Sequence, residues 1–321
     1  MNSATRIGAY AVGLAVVFGG AAGIGKITGP VGEPAEKMAS HENGGGHAGG
    51  EGGHGGGHTA AAAHAPGGLQ VSEDGYTLTP QRTTVTPGEK TDFRFTITGP
   101  DGKPVTAFKP LHGKLLHLIV ARRDLAGFQH LHPTRLGGGV WSVQIKLPKA
   151  GVYRFFTDIQ PTGATRQLTL GTDVFAPGDQ KPAPLPKPEQ VATVDGYEVK
   201  LTGGLTPGKS TELTLTVSKD GRPVTDLQPY LEAYGHLVAL RQGDLAYLHV
   251  HPDGEPGDGV TEPGPGITFS AEAPSSGAYR LYLDFKHGGK VRTAEFTVHA
   301  GDAQVPAQEA EPGHDDRPHT H

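Results

Sequence analysis

The sequence predicts an all-β protein: two tandem immunoglobulin-like or cupredoxin-like β-sandwiches that follow an N-terminal transmembrane helix and a disordered His/Gly-rich linker. Three observations predict it. Most of the chain past residue 68 is written twice, as in Asp74-Gly75-Tyr76 and Asp195-Gly196-Tyr197, or Asp101-Gly102-Lys103-Pro104-Val105-Thr106 and Asp220-Gly221-Arg222-Pro223-Val224-Thr225. A repeat of this length is a whole domain rather than a solenoid unit. Within each copy, apolar residues alternate with polar ones (Phe93, Phe95 and Ile97; Trp141, Val143 and Ile145), and Pro-Gly and Asp-Gly pairs separate the runs. No sustained helical stripe occurs beyond the amino terminus, and about seven short strands per copy suit a Greek-key sandwich.

In chain order, residues 1–6 are an expected cytoplasmic amino terminus, since Arg6 and the free amino group favour the inner side. Residues 7–25 carry no charge and are long enough to cross a bilayer as a helix, so they are read as a transmembrane anchor, with a signal peptide as the alternative. Residues 26–68 form the linker, with His41, His47, His54, His58 and His64 spaced among Gly and Ala, a composition that cannot bury a core. Its histidines either collect cations loosely or only add polarity. Residues 69–178 make the first sandwich, 179–190 a Pro/Lys spacer, 191–300 the second sandwich, and 301–321 a disordered tail containing His314, His319 and His321.

Composition narrows the chemistry. The 321 residues include 17 histidines and no cysteine, so disulfides, thiolate sites and blue-copper centres are excluded. Only Met1 and Met38 carry thioethers, so any metal uses imidazole nitrogen and oxygen donors, which suits Cu(II), Zn(II) or Ni(II) better than Cu(I). The formal charge of -5 comes without a dense basic run, which argues against nucleic acid as a partner.

The histidines repeat with the domains. His117-Leu118-Ile119 precedes His130-Leu131-His132-Pro133, and His236-Leu237-Val238 precedes His249-Val250-His251-Pro252, with thirteen positions from first to second His in both copies. On a strand, i and i+2 share a face. If Leu131, Leu248 and Val250 face the core, then His130 with His132, and His249 with His251, face outward beside Phe128 and Tyr247. They are then metal ligands or simply polar strand residues. His117 and His236 lie in otherwise apolar strands, where each either completes a site or is a core histidine bonded to backbone. Asp158 and Asp284 are candidate oxygen ligands or acceptors that fix an imidazole tautomer, or else partners of Arg154 and Arg280. His287, where the first copy has Pro161, is a further candidate ligand that would make the two sites unequal.

Arg6-Ile7-Gly8-Ala9-Tyr10, His117-Leu118-Ile119-Val120 with Arg123-Asp124-Leu125, Phe128-Gln129-His130-Leu131-His132-Pro133, and Gly151-Val152-Tyr153-Arg154-Phe155-Phe156-Thr157-Asp158 resemble a family of actinobacterial membrane-anchored or secreted tandem β-sandwich proteins. The resemblance covers the anchor and most of the first repeat; the second departs at Tyr247-Leu248. It implies an association with copper or other heavy-metal handling.

The expected function is thus a membrane-anchored, extracytoplasmic protein that binds divalent copper or zinc through histidine, in metal homeostasis or resistance. The alternative is a metal-independent immunoglobulin-like module that binds an envelope or protein partner. Catalysis is not expected, because nucleophile elbows, phosphate loops and paired-carboxylate motifs are missing.

Overall fold

The computed structural model describes residues 65–301. The expected anchor at 7–25, most of the linker and the tail lie outside the described residues. Among those described, no helix is long and apolar enough to cross a membrane.

The first sandwich runs through β1 (Ser72–Glu73), β2 (Tyr76–Pro80), β3 (Lys90–Thr98), β4 (Leu116–Arg122), β5 (Gln129–Leu131), β6 (Thr134–Arg135), β7 (Val140–Lys146), β8 (Gly151–Ile159) and β9 (Leu168–Ala176). One sheet has the order β1-β2-β3-β7-β6 and the other β5-β4-β8-β9, all antiparallel. The second sandwich runs through β10 (Val191–Val194), β11 (Tyr197–Gly203), β12 (Ser210–Lys219), β13 (Arg222–Pro223), β14 (Gly235–Arg241), β15 (His249–Pro252), β16 (Gly266–Glu272), β17 (Gly277–His287) and β18 (Lys290–Ala300). Its sheets are β10-β11-β12-β16-β15, with β13 on β12, and β14-β17-β18.

This is the strand order of an immunoglobulin-like Greek key, four-strand and three-strand sheets elaborated at their edges. Tyrosine corners corroborate it in both copies: the Tyr153 hydroxyl donates to the Lys149 carbonyl (2.9 Å) and the Tyr279 hydroxyl to Ser275 (2.7 Å). The alternating apolar residues behave as their period demands. Phe93, Phe95, Ile97, Trp141 and Ile145 are buried in the first core, and Val199, Leu213, Leu215 and Phe269 in the second.

The strand β4 is buried along its whole length, because both faces are covered. Leu116, Leu118 and Val120 enter the first core, whereas Ile119 and Ala121 join a third apolar cluster with Leu125, Phe156, Val238, Leu240, Leu245 and Tyr282. That cluster draws from both sandwiches and is the seam between them. Phe128 stacks on Tyr282 (centroids 3.9 Å, planes at 6°), and Phe156 meets Tyr247 from the opposite direction at 5.7 Å. The Tyr282 hydroxyl donates to the Leu125 carbonyl across the seam at 2.5 Å.

Two segments read as connectors help close it. In the Pro/Lys spacer, Leu185 packs against the seam cluster and Ala183 donates its backbone N–H to Asp124 (2.7 Å). At the start of the described chain, the Tyr247 N–H donates to the Gly67 carbonyl (3.1 Å), while the Arg154 guanidinium donates to the Gly68 and Leu69 carbonyls. The spacer is therefore a docked strap rather than a free stalk.

Tyr282→Phe deletes one donor and leaves a buried carbonyl without it, which costs roughly 1–3 kcal/mol. Denaturant unfolding of the variant is expected to show that loss; an unchanged midpoint would mean the seam does not contribute to stability.

Candidate metal centre

The seam carries an unusual load of imidazole. His117 projects from β4 on the same face as Ile119, and His130 from β5 opposite Ile119 in the antiparallel register. Leu131 packs against the first core, so His130 and His132 do point away from their own sandwich. The second sandwich covers the His130 side chain, which is 5% exposed, while His132 is half-buried.

His117, His130 and His132 converge, each offering one nitrogen within 4.8 Å of the others. Their ring centroids are 5.3, 5.0 and 4.9 Å apart. Imidazoles bound to one tetrahedral ion with metal–nitrogen distances of about 2.0–2.1 Å hold their centroids about 5 Å apart. The rings therefore stand where three corners of such a site would place them.

Hydrogen bonds fix the ring tautomers. His117 Nε2 lies 2.8 Å from the Leu111 carbonyl, which can only accept, so Nε2 carries the proton and Nδ1 the lone pair. His130 Nδ1 lies 2.8 Å from Asp284 Oδ2 of the second sandwich, so its proton faces that carboxylate. The remaining atoms, His117 Nδ1 and His130 Nε2, are 3.0 Å apart. With both imidazoles in these neutral tautomers, two lone pairs face each other, a conflict that a hydrogen or an ion between them relieves. His132 Nε2 is buried with no hydrogen-bond partner among the described residues.

Electrostatics disfavours protons here. Burial pushes His117 down to about 4, His132 to about 3 and His236 to about 3, and neighbouring histidines add to each shift. Burial also lowers His112, and it raises Tyr230 to about 12. A cavity of about 340 Å³ borders the cluster, lined among others by His112, His117, His130, Asp158, His236 and His251.

The two aspartates occupy equivalent places. Asp158 faces His117 across β4 and β8, and Asp284 faces His236 across β14 and β17. Each accepts a threonine hydroxyl from the next strand, Thr169 at 2.5 Å and Thr293 at 2.6 Å. Asp284 orients a histidine as one sequence reading allows, but a histidine of the other sandwich. The nearby arginines are engaged elsewhere: Arg154 takes Asp173 and Arg280 takes Glu295.

The second motif is not placed like the first. His249–Pro252 forms β15 and pairs with β16, whereas the first motif pairs with β4 before its chain crosses to β7. His251 is exposed and borders the cavity; the side chain of His249 lies outside what the structure describes. His236 repeats the anchoring of His117, with Nε2 at 2.8 Å from the Leu231 carbonyl. His287 is not brought to the cluster as a ligand: its Nδ1 meets the Tyr197 hydroxyl (2.7 Å) and its Nε2 Asp226 (3.0 Å) at the hairpin of β17 and β18. Its position eleven residues into a long strand, beyond Asp284 and near the turn, carries it away from the seam.

Sequence reading missed His112, whose neighbour Gly113 marks a turn, and the Leu111 carbonyl, which no side-chain pattern can reveal.

The fold and site define a tandem immunoglobulin-like β-sandwich protein with a histidine cluster between its domains. Residues 70–175 and 192–302 each match the family described as Domain of unknown function (DUF8832), and the chain belongs to that family. No curated protein matches it. Similar solved structures include the Escherichia coli adhesin FdeC (19% identity over 74% of this chain and 67% of that one, TM-score 0.24) and the Yersinia pseudotuberculosis adhesin InvE (12% over 71% and 60%, TM-score 0.23). Another is a Salmonella alpha-2-macroglobulin mutant, 14% identical over 73% of this chain and 15% of that one, with a TM-score of 0.26.

The lowered histidine values set a pH dependence. Unfolded histidines bind protons near 6.5, whereas the buried ones resist until about 3 to 4, so the unfolded state binds more protons in between. Stability is fully present above about pH 6.5 and is lost progressively as pH falls toward those values. Urea unfolding of the chelator-treated protein at pH 7.5 and 5.0 is expected to show a clear drop; equal stabilities would contradict the burial of neutral imidazoles.

Proposed function

We propose that the chain binds a divalent cation, copper(II) or zinc(II), through His117 Nδ1, His130 Nε2 and a nitrogen of His132. The supporting observation is the 3.0 Å approach of two imidazole nitrogens whose outer partners are already acceptors. Asp284 strengthens His130 as a donor by taking its other N–H, the usual support for a ligating histidine. An all-nitrogen set suits borderline ions rather than Mg(II) or Ca(II). In this reading residues 7–25 tether the sandwiches outside the cytoplasm, the linker histidines raise the local supply of ion, and the protein serves metal homeostasis or resistance.

A second reading rests on the same hydrogen bonds. With a proton on His130, an unbroken chain runs from the Leu111 carbonyl through His117 and His130 to Asp284, and the histidines become a latch between two domains. The tandem sandwiches are then a rigid interaction module for an envelope or protein partner, with no metal required.

Titration of the full chain with Zn(II) and Cu(II) against a competing chelator separates the two. Replacing His117, His130 and His132 together with Ala is expected to remove the tightest equivalent of metal and leave the weak uptake of the linker and tail. A titration curve identical to the parent's would reject the metal site and favour the latch. Lowering the pH below about 6 should weaken the tight equivalent, because ligands must lose protons to bind.

A further inference from the structure

Two more imidazoles meet at the seam outside the triad. His112 belongs to the first sandwich and His236 to the second; their ring centroids are 4.9 Å apart with planes at 80°. Within the triad, His117 and His132 stand at 5.0 Å and 81°. The spacing again fits a ligand pair on one tetrahedral ion, for which about 5 Å is expected. His236 is 6.3 Å from His117 and 6.1 Å from His130, too far to share their ion without movement.

The backbone presents His112 in an uncommon way. Leu111 and Lys114 exchange both backbone hydrogen bonds (2.7 and 3.0 Å) around His112 and Gly113, whose φ values are 47° and 71°. Two positive φ values make a type I′ turn, whose corners favour Asn, Asp or Gly. Non-glycine residues at positive φ are uncommon, histidine less so than most, and residues held there gather at functional positions. The second sandwich offers a matching turn, with Leu231 at φ 56° and Glu232 at φ 62° between Tyr230 and Ala233. The two turns abut: a Cβ placed on Gly113 would lie 3.4 Å from Glu232 Oε1.

His236 has its lone pair on Nδ1, since Nε2 is committed to the Leu231 carbonyl, and Nδ1 makes no hydrogen bond among the described residues. Both rings line the cavity that also borders Asp158 and His251. We propose a second divalent-cation position between His112 and His236, bridging the two sandwiches, with water admitted by the cavity completing the coordination shell. The carboxylates of Glu232 and Asp158 offset the added charge; against the burial that holds His112 below its ordinary range, Glu232 is the largest opposing influence. The position stands apart from the triad and does not require it.

Anomalous scattering at the zinc edge, from crystals of the full chain grown with Zn(II), locates the ions, and chelator competition counts them in solution. Two peaks are expected, one at the triad and one between His112 and His236. His112→Asn suits the turn and removes the imidazole, so it should lose the second peak and one equivalent of Zn(II) while the triad peak persists. An empty space between His112 and His236 in the parent, or full stoichiometry in H112N, overturns the proposal. A peak only between His112 and His236 upholds it and rejects the triad as a metal site; density at neither rejects both.

Discussion

The chemistry of the seam depends on one constraint: two imidazole nitrogens held 3.0 Å apart whose rings cannot turn away. His117 is pinned by a backbone carbonyl and His130 by a carboxylate from the neighbouring domain. Flipping either ring would break a buried hydrogen bond and leave its acceptor facing a ring carbon, at a cost of about 1–3 kcal/mol or more where a charged group is left. Filling the gap with a cation resolves the conflict without moving either ring. The surrounding burial makes a proton an expensive cation for the neighbouring rings of His117 and His132, both of which resist charging well below neutral pH. A metal ion offsets its own desolvation by coordination to neutral imidazole lone pairs, which the same burial keeps unprotonated.

Such a cluster would be hard to keep dry on one domain's surface. The seam supplies the cover. Phe128, Phe156, Tyr247 and Tyr282 interleave in two reciprocal pairs, each pair taking one ring from each sandwich. Fully burying a large apolar side chain is worth about 1.5–3 kcal/mol; Phe156 and Tyr282 are fully buried and Phe128 and Tyr247 partly so, and together they offset the desolvation of one or two unsatisfied nitrogens. The apolar cluster therefore closes the interface, and the histidines exploit the closed interface. Reversing that order, with polar contacts driving the docking, would leave His132 Nε2, which has no hydrogen-bond partner among the described residues, as a net cost with nothing to offset it.

Much of this was legible in the sequence, and the limit has a physical origin. Period-two patterning and turn residues fall where the strands and hairpins form, because inward and outward residues alternate whatever the partner. The outward direction of His130 and His132 follows from Leu131 by the same rule. What covers the outward face does not follow from it: the contact of His130 with Asp284 joins residues 154 positions apart, and no local pattern encodes that meeting. The His287 position shows the converse. Its alignment with Pro161 made it look like an added ligand, yet its strand continues past the seam to a hairpin where Tyr197 and Asp226 engage it.

Duplication followed by unequal drift accounts for the geometry better than two copies of one site. The anchors are shared: His117 and His236 each donate to a loop carbonyl, and Asp158 and Asp284 each accept from a threonine on the adjacent strand. The copies diverge in the segment that follows β4 and β14: Gln129–Leu131 pairs with β4, whereas in the second copy Tyr247 bridges Leu240 of β14 and His249–Pro252 then pairs with β16. The same H-x-H-P string, at the same thirteen-residue spacing, is thus paired into opposite sheets in the two copies. A pair of equivalent halves would give two equal pockets, each within its own sandwich; these halves instead lend an aspartate and an aromatic ring across the seam, so the chemistry of the first domain depends on the docking of the second.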